Sequence, residues 1–173
     1  MKKLALALTT ATLATLSAPS IAATATATMP VTATVVSSCL VAATPLVFGI
    51  YNGTDSADKL GSSTVTLACA GTTTATIELD NGQHAVSGVR KMLKTVPAGT
   101  DTLSYGLFQP SSNTSTATCG ALTTPYGTGV SAALPVIGLT VAVQAFPVCG
   151  SIPAGQAASL GAYTDTVTVT VTF

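Results

Sequence analysis

Charge is what this sequence has least of. Only 7% of its residues are Asp, Glu, Lys or Arg, there is a single histidine, His84, and tryptophan is absent. With the basic head Lys2-Lys3 set aside, Lys59, Arg90, Lys91 and Lys94 stand against Asp55, Asp58, Glu78, Asp80, Asp101 and Asp165, a formal net of −2. A polyanion such as nucleic acid asks for clustered lysine and arginine. The Arg90-Lys91-Lys94 group is too small for that and reads as a solvated strand edge, so no nucleic-acid partner is expected. No CxxC pair exists and one histidine cannot complete a zinc site, so no metal or other cofactor is expected either.

The same scarcity argues against catalysis. A hydrolytic triad needs a base and an orienting acid beside a nucleophile. His84 lies in the turn-rich stretch Asn81-Gly82-Gln83-His84 and reads as a solvated loop residue. Glu78 and Asp80 are two apart on a strand, hence on one face and ~7 Å apart between α-carbons. That is within the spacing of glycosidase carboxylates, about 5–10 Å, but Asp80-Asn81-Gly82 is a tight-turn former first. Phosphate-loop and calcium-loop spacings are absent. A secreted hydrolase would have to rest on His84 or Glu78, and the chain reads as no enzyme.

Long apolar runs are also missing, save one. Met1-Lys2-Lys3, then Leu4 to about Leu16 without charge, then small residues up to Ala22 or Ala23, have the three-part grammar of a secretory signal over residues 1–23. Ala133–Val143 falls short of a membrane span. About 150 residues remain, enough for one domain. The expectation is a protein exported through the periplasm and secreted or carried on the cell surface.

What is abundant is threonine, alanine, valine and serine, which suits strands better than helices. From Thr166 every second residue is threonine, with Val167, Val169, Val171 and Phe173 between, the pattern of a strand with valines inward and threonines to water. Thr24–Val36 alternates too, with Ala25, Ala27, Met29, Val31, Ala33 and Val35 on one parity and Pro30 on the other, and reads as one long strand or as two in series broken at Pro30. Proline cannot donate to a ladder and belongs at an edge, bulge or junction. Further strands are expected at Leu46–Tyr51, Thr64–Cys69, Thr74–Leu79, Val89–Leu93 and Leu103–Phe108. The apolar, β-rich stretch Leu134–Ala145 adds another, and Ser151–Gln156 reads as a turn. About eight short strands, regular turns and no amphipathic helix predict an all-β antiparallel sandwich. Cys39, Cys69, Cys119 and Cys149 are an even set in an exported chain, so disulfides are expected, with three pairings open.

Several of these stretches together resemble the spore coat protein U domain family: Ser38-Cys39 after an alternating strand, Leu46-Val47-Phe48-Gly49-Ile50-Tyr51, Thr64–Cys69 and Leu103–Phe108. The ending is the most specific part, Gly150-Ser151-Ile152-Pro153-Ala154-Gly155-Gln156, then Gly161-Ala162-Tyr163-Thr164-Asp165 and Thr/Val alternation to Phe173. The family consists mostly of pilin subunits of archaic chaperone–usher pili in Gram-negative bacteria. The resemblance implies an incomplete immunoglobulin-like sandwich completed by donor-strand exchange. Residues 24–36 would be the donor extension and residues 37–173 the pilin domain, with Val167, Val169, Val171 and Phe173 bordering the acceptor groove. The implied partners are neighbouring pilin subunits in a homo- or hetero-polymer, a periplasmic chaperone and an outer-membrane usher, with adhesion and biofilm formation as the outcome.

An open groove would expose apolar side chains and unpaired amides, and strand addition satisfies both, chaperone–pilin complementation being a known instance. Burying Met29, Val31 and Val35 contributes on the order of 5–8 kcal/mol, while Ala25, Ala27 and Ala33 fill shallow pockets. Cys39 and Cys69 match the family's disulfide. Cys119 and Cys149 stand where relatives often carry aromatic residues, which points to one covalent contact replacing a packed one. The competing reading is a monomeric secreted binding sandwich whose N-terminal strand folds back on its own sheet.

Overall fold

A computed structural model of the chain describes residues 24–128 and 132–173. The expected signal, residues 1–23, lies outside the described residues. The chain divides into two compact units, Met1–Ala33 and Thr34–Phe173.

In the first unit, residues 24–33 adopt no regular secondary structure, and Met29 and Val31 are 81% and 82% exposed. The expected strand over Thr24–Val36 is therefore not formed in this chain; the first strand begins at Ser38. Alternation makes a segment competent for a sheet, but a strand exists only where a ladder partner supplies its hydrogen bonds.

The second unit holds ten strands and, among the described residues, no helix. They are β1 (Ser38–Ala43), β2 (Lys59–Ala70), β3 (Thr74–Leu79), β4 (Lys91–Val96), β5 (Thr102–Ser104), β6 (Gly106–Phe108), β7 (Leu134–Ile137), β8 (Gln144–Ile152), β9 (Ala162–Thr164) and β10 (Val169–Thr172). All pairings are antiparallel, in three sheets ordered β1-β2-β8-β6, β10-β3-β7 and β5-β4-β9. The inward parity of β2 (Val65, Leu67, Cys69) meets that of β3 (Ala75, Ile77, Leu79) in one core, completed by Val136, Phe146, Val148 and Ile152. This is the antiparallel sandwich that period-two patterning predicts.

Three local expectations change. Leu46–Tyr51 is not a strand; it crosses the inner face of the first sheet. Gly61 and Gly150 are cross-strand partners there. A Cβ on either would meet the Phe48 ring within 2.9 Å, so the glycine pair opens a slot for Phe48 and Leu46. Phe48 then packs edge-on against Tyr105 at 6.2 Å. Ser151 and Ile152, read as the start of a turn, belong to β8. The apolar stretch Leu134–Ala145 is cut at Gly138, whose φ of +71° favours glycine, and Val141 and Val143 beyond it are exposed.

All four cysteines are in disulfides. Cys39 and Cys69 sit directly opposite on β1 and β2, with α-carbons 4.1 Å apart. Cys119–Cys149 ties the long loop after β6 to β8.

An open groove between two sheet edges

Of the strands that end the three sheets, two face each other across the sandwich. β1 ends the first sheet and β10 ends the second. Ser38 pairs with Ala70 and Thr172 with Thr76, on either side of the β2–β3 connection, so β1 starts where β10 finishes and the two edges run in opposite directions.

The direction of the free backbone groups follows from ladder alternation. The Thr44 amide donates to Thr64, whereas the Cys69 amide turns away from β1 to Thr140. Even-numbered residues of β1 therefore bond β2, and Cys39, Val41 and Ala43 direct N–H and C=O to the free edge. On the other side Thr168 accepts from Asp80, while the Leu79 amide turns away from β10 to Gly127. So it is the odd residues Val167, Val169, Val171 and Phe173 whose backbone faces outward. These are also the residues whose side chains point inward.

Between the edges lies a cleft, although its floor residues are themselves almost fully buried. A cleft of about 380 Å³ opens between Ala43–Leu46 and Thr164–Val169, floored by Val65, Leu79, Leu107 and Val148. A wider one of about 1170 Å³ continues beside Val47–Thr54 and Gly155–Tyr163. Val167, Val169 and Val171 are only partly buried against the core, and Phe173 is 51% exposed. Val41, on the inward parity of β1, is 38% exposed. β10 spans Val169–Thr172, so Val167 and Phe173 flank the strand instead of lying within it.

The entry to β10 is fixed by a polar cluster that was not legible in the sequence. The Asp80 carboxylate accepts the amides of Gly82 and Thr168, both at 2.9 Å. Burial pushes its pKa up, but those hydrogen bonds and nearby Arg90 win and hold it below the usual carboxylate value. Asp165, its side chain almost fully buried, accepts from the Gln83 amide (3.0 Å), the His84 amide (3.3 Å) and the Tyr105 hydroxyl (2.7 Å), and sits 2.9 Å from His84 Nδ1. Burial, then the bond to Asp165, raises the Tyr105 pKa well above the usual tyrosine value. A Cβ on Gly82 (φ +80°) would fall 2.0 Å from Asp165 Oδ2, so that turn admits glycine only.

Two sequence readings are corrected here. His84 is no solvated loop residue; its ring is paired with Asp165 and partly buried. Arg90 is no solvated edge cation: only 8% exposed, it donates through Nε to the Asp80 carbonyl (2.9 Å) and through Nη2 to those of Leu79 and Asp80. Neither pairing has a sequence signal, because the partners lie 10 to 81 residues away and only the fold joins them. Among the described residues no group of three or more His, Cys, Asp or Glu side chains is placed to hold a metal.

Of the other predicted site residues, Ala25, Ala27, Met29, Val31, Ala33 and Val35 are all exposed. Cys39 and Cys69 lie at one end of the β1 edge. Cys119 and Cys149 are on the outer side of the first sheet, since Cys149 has the parity opposite to core residues Phe146 and Val148.

Comparison with known proteins gives this geometry a context. Protein U of Myxococcus xanthus is 32% identical over 176 residues, covering 90% of this chain and 88% of that protein. A chain of the chaperone–tip adhesion subunit pre-assembly complex from archaic chaperone–usher Csu pili of Acinetobacter baumannii superposes with a TM-score of 0.53 at 24% identity over 81% of this chain. A chain from a chaperone–tip adhesin complex of CFA/I fimbriae biogenesis is more distant, with a TM-score of 0.42 at 15% identity over 74% of this chain. This chain spans 41% and 37% of those two chains, less than half of each. The first likeness establishes the fold, an immunoglobulin-like antiparallel sandwich. The Spore Coat Protein U domain model matches residues 25–170. With nearly the whole described chain inside that match, and a one-third-identical relative along its length, the protein belongs to the Spore Coat Protein U domain family.

Proposed function

We propose that this chain is an exported structural subunit of a chaperone–usher pilus, without enzymatic activity. Its groove is filled by a strand from another polypeptide, first a periplasmic chaperone and then, at an outer-membrane usher, the residue 24–36 segment of a neighbouring subunit. The fibre so formed serves adhesion and biofilm formation at the cell surface. One observation carries the reading. Two sheet edges flank an uncovered apolar cleft, and on both edges the residues with inward side chains are those with unpaired backbone groups. An added strand meets both needs at once. The exposed, alternating, charge-free segment 24–36 has the pattern of such a strand.

Deleting residues 24–36 tests the proposal. The truncated chain should form both disulfides and bind its chaperone, yet give no fibres by electron microscopy. A truncated chain that no longer folds would support the monomeric sandwich instead.

A further inference from the structure

We infer that Asn52 is a self-modifying site. Its carboxamide is placed to react with the Gly53 amide nitrogen and to convert, through a cyclic imide, to aspartate and isoaspartate, whereas Asn81, which also precedes a glycine, is protected by the fold. The reaction needs no partner protein and no strand in the groove.

An asparagine followed by glycine is the pair most open to this chemistry, because glycine has no Cβ to shield its nitrogen or to restrict the backbone. The chain holds two such steps, Asn52-Gly53 and Asn81-Gly82. At the first, residues 52–55 form a β-turn in which the Asp55 amide donates to the Asn52 carbonyl at 3.0 Å. Within the turn Asn52 Oδ1 accepts from the Thr54 amide (3.2 Å) and from the Thr54 hydroxyl (2.9 Å). Such an Asx turn folds the carboxamide back along its own backbone, beside the nitrogen of the next residue. Residues 52–54 are exposed to water, and among the described residues nothing bonds the Gly53 amide or Asn52 Nδ2.

The Gly53 N–H gives its proton to hydroxide, and the nitrogen attacks Asn52 Cγ to form the N–Cγ bond. Negative charge develops on Oδ1, where the Thr54 amide and hydroxyl already point. Donors placed at a developing oxyanion stabilise it more than the starting amide. The Cγ–Nδ2 bond then breaks, and Nδ2 takes a proton from water and leaves as ammonia. Water opens the imide: addition at Cγ gives aspartate, and addition at the Asn52 main-chain carbonyl gives isoaspartate. In sum one water is consumed and one ammonia released, with no oxidant, reductant or cofactor.

At the second step the same requirements are withheld. The Gly82 amide is bonded to the Asp80 carboxylate at 2.9 Å, and Gly82 lies so close beneath Asp165 that a Cβ would fall 2.0 Å from its Oδ2. One carboxylate accepting the N–H and another beside it both oppose loss of the amide proton. Ring closure there would also break the cluster that fixes the entry to β10. At Asn52 the product has a structural consequence. Residues 52–54 line the 1170 Å³ cleft, and Gly53 packs so close to Gln156 that a Cβ would fall 2.6 Å from the Gln156 carbonyl oxygen. The neighbouring Tyr51 hydroxyl donates to the Pro153 carbonyl (2.9 Å) and accepts from the Gln156 amide (2.8 Å). Isoaspartate adds one main-chain carbon and a carboxylate at this contact, so it pushes Gly53 off Gln156 and loosens the Tyr51–Gln156 tie.

The test is peptide mapping by mass spectrometry of the exported chain, incubated folded and urea-unfolded in mildly alkaline buffer. In the folded chain Asn52 should exchange its side-chain NH2 for OH at least about tenfold faster than Asn81, the worth of the hydrogen bond that holds Gly82. In the unfolded chain the two rates should converge. T54V should slow the folded reaction about three- to tenfold, the worth of one hydroxyl donor, and T54S should keep it. As Asn52 is consumed, the Gln156 amide should exchange hydrogen faster; unchanged exchange overturns the loosened tie. Equal or inverted rates at Asn52 and Asn81 in the folded chain overturn the inference, as does an unreacted Asn52 over the time in which the unfolded chain reacts. So does a glycan on Asn52, since Asn52-Gly53-Thr54 also fits the N-glycosylation pattern. The comparison of Asn52 with Asn81 uses the unsubstituted chain, so it decides the matter even where T54V fails to fold.

Discussion

Thr64–Cys69 and Thr166–Phe173 are written in nearly the same alphabet, threonine alternating with an apolar residue, yet the fold treats them differently. The first lies in β2, between β1 and β8, and its inward residues Val65, Leu67 and Cys69 are fully enclosed. The second lies in and around β10, which has β3 on one side and nothing on the other, and its valines are only partly covered. Alternation thus reports that a segment can be a strand and which side chains share a face. It does not report how many neighbours that strand has, since a neighbour's position depends on the path of the rest of the chain.

The sharpest way to break the comparison is a matched pair of truncations. Leu67→Ala should destabilise the chain by about 2–5 kcal/mol, the cost of a core cavity. Val171→Ala should cost less, about 1–2 kcal/mol, because its side chain is only partly buried against the core. Denaturant unfolding checks both, and equal losses would mean that the β10 edge is covered after all. On the proposed strand addition, the cost of Val171→Ala should rise toward the core value once the groove is filled.

The two disulfides come next. Both close loops with a sequence separation of 30, so removing either by paired serine substitution should cost roughly 3–4 kcal/mol in the chain-entropy model. Their local effects should differ. Loss of Cys39–Cys69 should speed amide hydrogen exchange along β1, whereas loss of Cys119–Cys149 should release the loop after β6 and leave β1 protected.

A smaller effect is expected at the glycine slot. Gly150→Ala puts a methyl 2.8 Å from the Phe48 ring and should cost about 1–3 kcal/mol as Phe48 is pushed out. Val47→Ala, at the exposed neighbouring position, should be near neutral.

The mildest is a pH dependence at the entry to β10. The folded pKa of Asp80 lies below its ordinary value of 3.8. Its contribution is therefore present above that value and lost as pH falls through the folded pKa. Tyr105 has the opposite sign. Its pKa is raised from 10.0, so stability is intact below that pH and lost as pH climbs above it. Asp80→Asn should flatten the acid limb of a stability–pH profile and Tyr105→Phe should reduce the alkaline loss.

Much of the fold was legible because it is local. β2, β3 and β10 follow from period two, and Asp80-Asn81-Gly82 is the turn its residues announce, with the Gly82 amide bonded to the Asp80 carboxylate. Leu46–Tyr51 misled because an apolar run with β-branched residues reads as a strand, whereas here it is packing material laid over Gly61 and Gly150. Arg90 and His84 misled because a charged residue in a polar context reads as solvated until the fold brings it a buried partner. Of the site, the inward parity of β10 could be read from residues; Val41, Phe48 and the Asp165 cluster could not.

By itself, then, the order of residues determined that the chain is β, which parity of each strand turns inward, and that four cysteines stand ready in a sequence poor in charge. Only the tertiary structure decided that Cys39 faces Cys69, that Asp165 gathers His84 and Tyr105, and that β1 and β10 are left as edges on either side of a cleft. The reason is range. Backbone sterics and side-chain alternation act between near neighbours, while an edge is defined by the absence of a strand, which only the whole chain's path can produce.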